Sequence, residues 1–147
     1  MTCRRELTML AVLAAFEAEL QTTFGASTRA LRQLPPENTA NVTDAVTGFF
    51  LELEGSEIVT ADNSPKALYK KAPVLFLGLF KCGADEEATL WAQANEFEAA
   101  VERLIATAIT ADGAVVHVHP GGAYGRAVGK GQMWVEVPAE ILIRQKP

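Results

Sequence analysis

Cysteine is almost missing from this chain, with only Cys3 and Cys82 among 147 residues. Two cysteines so far apart cannot form a CxxC zinc or redox motif, and they are too few for a disulfide framework. Basic charge has no surplus: 13 Lys and Arg stand against 18 Asp and Glu. A general nucleic-acid binder, which must neutralise phosphates, is therefore not expected. No apolar run reaches the ~18 to 20 residues that a membrane-spanning helix needs. Met1 to Glu6 lead into a helical pattern carrying Glu17 and Glu19, not into an apolar signal core, so folding in the cytosol is the expectation. GxSxG, HExxH and paired-carboxylate motifs are missing too, and no catalytic residues and no cofactor are assigned. The glycine-rich stretch Gly121 to Gly131 fails as a phosphate loop. Tyr124 stands where the first glycine would be required, Gly131 stands where Ser or Thr would bind the metal, and a strand follows instead of a helix.

What is present is 49% apolar and 21% charged residues, the composition of one globular domain over 1–147. Between Glu6 and Thr23 the residues Met9, Leu13, Phe16 and Leu20 recur three or four apart, which predicts an amphipathic helix, and Gly25 supplies its stop. Residues 25–45, with Pro35-Pro36, read as a long loop with a turn of helix near Arg29 to Leu34. Val46 to Glu54 alternates as a strand, with Phe49, Leu51 and Leu53 on one face and Phe50, Glu52 and Glu54 on the other. After a polar excursion over 55–65, the run Ala72 to Phe80 is apolar on both faces, with Pro73 suited to its first residue. Residues 85–109 form the clearest helix, since Leu90, Ala94, Phe97, Val101, Leu104 and Ala108 step by four and three. Asp85, Glu86 and Glu87 favour its start. A short strand over Ala114 to His119, a loop over 120–131 and a long final strand from Met133 to Arg144 complete the chain, with Pro138 assigned to an edge or bulge.

The expected fold is therefore α+β: a two-layer sandwich of order α-β-β-α-β-β, with a mainly antiparallel four-stranded sheet and two helices on one face. Two helices can cover only one side of such a sheet. The doubly apolar run at 74–80, together with Phe50, Trp134 and Leu142, leaves apolar surface on the other side, covered either by the chain's own loops or by neighbouring subunits. Charge is segregated as well. Residues 84–110 carry one basic and six acidic groups, whereas 55–83 carry four basic and two acidic. Basic loops of one subunit resting on the acidic helix of the next would use this asymmetry. The candidate subunit-interface residues are accordingly Phe50, Lys66, Lys70, Lys71, Trp134, Arg126 and Lys130.

Two smaller constellations remain. His117 and His119 sit two apart on a strand, so both point to one face as a metal-ligand pair would, but the sequence supplies no third ligand and packed or solvated histidines are the commoner outcome. Cys3 and Cys82 are candidates for a cross-link in an oxidising environment.

The order of features resembles the tail terminator proteins of lambda-type long-tailed bacteriophages. It rests on a charged N-terminal helix (Arg4 to Thr23), a long loop and strand, and an apolar strand opening Pro73-Val74-Leu75-Phe76-Leu77. A Trp-bearing helix from Leu90-Trp91 to Ala108 follows, and Gly131-Gln132-Met133-Trp134 enters the long final strand. The resemblance implies a non-enzymatic virion protein, made in the host cytoplasm, that forms a homo-oligomeric, hexameric ring. The ring would cap the tail tube at the neck, with the tube protein, head-tail connector proteins and, in contractile tails, the sheath as partners. Nucleic acid would be incidental in the lumen. The enlarged 120–131 loop and the 25–45 segment depart from the pattern and keep a head-tail joining or completion protein as the alternative. A small ligand-binding or enzymatic α+β domain using His117, His119 and Tyr124 is the competing class.

Overall fold

The computed structural model describes residues 4–32, 47–53, 57–60, 68–81, 87–111, 114–129 and 131–145. Helix α1 (Arg4–Phe24) precedes four strands: β1 (Arg29–Leu31), β2 (Thr47–Glu52), β3 (Glu57–Thr60) and β4 (Leu68–Lys81). Helix α2 (Glu87–Ile105) precedes four more: β5 (Ile109–Ala111), β6 (Ala114–Pro120), β7 (Gly125–Gly129) and β8 (Gln132–Gln145). The class is α+β as expected, but among the described residues the single mixed sheet has eight strands where four were expected. The additional strands are β1, β3, β5 and β7, each of three to five residues. Pieces this short carry too few alternations to stand out, and β7 lies in glycine-rich sequence. The expected helical turn at Arg29 is strand β1, paired in parallel with β2; the rest of that turn lies outside the described residues. Helix α2 stops at Ile105, short of the expected residue 109, through a tightened last turn in which Thr107 N donates to Leu104 O at 3.1 Å. Ile109 then starts β5.

Strands β4 and β8, 14 residues each, form a fully registered antiparallel pair from Leu68↔Gln145 to Lys81↔Gln132. Each has two partners in succession on its outer edge. β3 lies along Leu68 to Lys71 and β2 along Val74 to Leu79; on β8, β7 lies along Gln132 to Glu136 and β6 along Ala139 to Arg144. Pro73 and Pro138 fall in the two gaps between these partners. Their carbonyls point outward there, accepting from Leu53 N at 2.9 Å and Gly121 N at 3.0 Å. A strand residue directs its N–H and C=O to the same edge, so each proline accepts one bond from the residue that follows its partner strand, cannot return the second, and ends that partner's ladder. This corrects both expectations: Pro73 is interior to its strand, and Pro138 belongs to a strand paired on both sides. The bar on proline in central strands is lifted at a change of partner.

Both helices lie on one face. Met9, Val12, Phe16 and Leu20 of α1 and Leu90, Ala94, Phe97, Val101 and Leu104 of α2 are fully buried there against Val74, Phe76 and Phe80 of β4 and Met133, Val135, Val137 and Ile141 of β8. Gly48 and Gly78 are cross-strand partners directly beneath the helices. A Cβ on Gly48 would stand 2.8 Å from the Phe16 ring, and one on Gly78 2.9 Å from the Phe97 ring. The missing side chains make the hollow in which these rings meet edge to face, 6.0 Å apart. Arg103 fastens the helices together, its Nε donating to Glu19 at 3.0 Å.

Candidate functional site

The opposite face carries a second, smaller apolar cluster. Phe49, Leu77 and Leu79 are buried, and Leu51, Leu75 and Trp134 are half-buried around them. The register assembles it, pairing Phe49 with Leu77, Leu51 with Leu75 and Leu79 with Trp134. Cross-strand pairs share a face, so alternation along three strands builds one patch. The Trp134 ring stacks on Phe49 with centroids 6.1 Å apart, and its Nε1 donates to Glu136 at 3.2 Å. Beside it an open depression of about 320 Å³ is lined by Leu79, Ala127, Val128, Gly129, Gln132 and Trp134. Leu53 at the end of β2 is 39% exposed. Neither helix reaches this side.

The interface candidates divide between the two faces. Trp134 belongs to the patch. Phe50 does not: its side chain lies on the helix side, its ring 5.6 Å from Phe76. Its phase is set by pairing with Phe76, and the neighbour Phe49 occupies the patch instead. Phe49, Leu77 and Leu79 are not among the interface candidates that the sequence suggests; the doubly apolar run of β4 is the signal for Leu77 and Leu79. Lys71 lies on the patch side, where its Nζ meets Glu140 at 3.0 Å. Lys70 is described by its backbone alone, opposite Ile58 and Ile143. Lys66, Lys130, Cys3 and Cys82 lie outside the described residues.

Arg126 corrects a further expectation. The stretch around it is strand β7, paired with β8, and not part of a loop running from 120 to 131. Its partner Val135 faces the helices, so Arg126 does too. Nε and Nη2 form a fork on Glu98 at 2.8 and 2.6 Å, Nη2 also donates to Asn95 at 2.8 Å, and the guanidinium lies 5.2 Å from the centre of the Trp91 ring. The hydrogen bond to Glu98 raises the Arg126 pKa and fixes its charge. Nearby, the Tyr124 hydroxyl donates to Glu102 at 3.2 Å; burial, and then that carboxylate, push its pKa up. Both groups hold β7 and the residue before it to the acidic helix of the same subunit.

Among the described residues no group of three or more His, Cys, Asp and Glu is gathered as a metal site. His117 and His119 are exposed on the patch side, with ring centroids 6.2 Å apart.

No protein-family model matches the sequence, and no curated protein matches it significantly. Solved structures do match in fold. One is a chain of the virion of a native gene transfer agent particle, with TM-score 0.60 and 11% identity, covering 99% of this chain and all of the other. A second solved chain matches with TM-score 0.61 and 11% identity over 99% of both. End-to-end coverage at such low identity shows a shared fold.

Proposed function

We propose that this chain is a structural protein of a phage-like virion, a tail terminator that assembles as a hexameric ring, caps the tail tube and receives the head connector. The observation that carries the reading is the end-to-end fold likeness to a chain of the gene transfer agent virion. Two further features support it. The order of features in the sequence resembles the terminator pattern, and the half-buried Leu51, Leu75 and Trp134, around the buried Phe49, Leu77 and Leu79, leave some apolar surface on the face away from the helices. Such surface is characteristic of a subunit contact, where the central area is apolar and aromatic. In the ring, the patch of one copy meets the next copy.

Native mass spectrometry of the purified chain, with negative-stain imaging of the same sample, tests the proposal. A closed ring of six copies is expected. A monomer at all concentrations, with no ring in the images, would defeat it.

A further inference from the structure

We infer that the outer edge of β7 receives a strand from a second copy of this chain, the free edge of that copy's β3, in a contact that presupposes the ring proposed above. The register decides which backbone groups face outward. Pro138 O accepts from Gly121 N on the outer edge of β8, so Gln132, Trp134 and Glu136, at even spacing from it, direct their N–H and C=O to that edge too. Their partners Gly129, Ala127 and Gly125 bond back, which turns the N–H and C=O of Arg126 and Val128 away from β8. Among the described residues these outward backbone groups meet no partner, and Val128 is 44% exposed. On β4, Pro73 O marks the same parity. Lys71 and Tyr69 face β3, their partners Glu57 and Val59 bond back, and Ile58 and Thr60 direct their backbone groups outward.

The other two outer strands are closed or too short. On β1, Gln21 Nε2 donates to Thr28 O and Glu17 accepts from Ala30 N, both at 3.2 Å, so side chains of α1 occupy the bonds a visiting strand would need. β5 turns only Thr110 outward and packs against α1. Natural sheets guard an open edge with lysine, proline or a covering element. β7 has neither residue, and its arginine is drawn onto Glu98. β3 and β7 lie on opposite edges and at opposite ends of the β4–β8 pair. A contact between them is head-to-tail and propagates around a ring, whereas β7 on β7 would close as a two-fold pair. Charge favours the same pairing: β7 is held against α2, in the segment 84–110 with one basic and six acidic groups, and β3 belongs to 55–83, with four basic and two acidic. The added strand also borders the depression beside Trp134, whose rim includes Ala127, Val128 and Gly129.

Val128→Pro tests the edge, because the lost N–H makes no bond to β8 and the subunit's own ladder stays complete. Sedimentation velocity of the full chain should show self-association weakened at least ~10-fold, with circular dichroism and denaturant unfolding little changed. Thr60→Pro gives an independent reading from the partner edge and should weaken association likewise. The double variant should lose little more than either single one, since both act on one contact. Val128→Thr keeps the N–H, the shape and the strand preference and should associate like the parent. A parent chain that stays monomeric defeats the ring and this contact together. A parent ring that Val128→Pro leaves intact, or that Val128→Thr disrupts as badly, overturns the edge contact and leaves the ring standing. Loss with Val128→Pro beside no loss with Thr60→Pro overturns β3 as the strand received.

Discussion

The two faces of the sheet are built from the same strands by the same alternation, yet they are finished differently. On one, five phenylalanines (Phe16, Phe50, Phe76, Phe80 and Phe97) interlock with two helices into a continuous core. On the other, three buried and three half-buried residues form a shallow cluster with Trp134 at its margin and a depression alongside. Alternate residues of β4 serve the two sides: Val74, Phe76 and Phe80 face the helices, and Leu75, Leu77 and Leu79 the patch. The helix face is closed by two helices; on the other face only the margin of the cluster, Leu51, Leu75 and Trp134, retains exposed apolar surface that an association could use.

Substitutions one position apart should break this contrast cleanly. Phe76→Ala removes the ring at the centre of the helix face and is expected to cost about 3–5 kcal/mol of folding stability, read by denaturant unfolding. Leu75→Arg places a charge on the patch. It should weaken self-association by at least ~2 kcal/mol, roughly 30-fold in dissociation constant, while changing folding stability far less than Phe76→Ala. Sedimentation velocity together with unfolding separates the two effects, and equal losses in both would erase the distinction between the faces. Arg126→Ala is expected to be milder, about 1–2 kcal/mol, because it removes a partly buried fork on Glu98 and leaves the β7 ladder intact. Hydrogen exchange should report that loss as faster opening of β7, with β8 and β6 unchanged.

The sequence made the large features legible. Three- and four-residue spacing identifies both helices, Gly25 marks the end of α1, where it sits with φ 115°, and the long final strand from Met133 to Arg144 is visible as β8. The short strands were not legible, because β1, β3, β5 and β7 owe their form to hydrogen bonds with distant partners and not to local pattern. Phe49 and Phe50 show the same limit at one residue's resolution. Either phase of an apolar-rich strand looks plausible until the register with β4 decides it, and a shift of one residue exchanges the faces. Arg126 was recognised as a basic group in a glycine-rich stretch, but its partners lie 28 and 31 positions away on α2, a separation that no local spacing reveals.

The proline junctions carry a consequence for how such a chain can vary. Because Pro73 and Pro138 interrupt the outer hydrogen-bonding edges of the long pair, β3 and β7 share no ladder bonds with β2 and β6. Each outer strand is a separate attachment to a common two-stranded spine. Lengthening, shortening or exchanging one of them leaves the register of its neighbour on the same edge untouched. A change at one end of the subunit therefore leaves the strand pairing at the other end as it is, with the two prolines marking where the change stops.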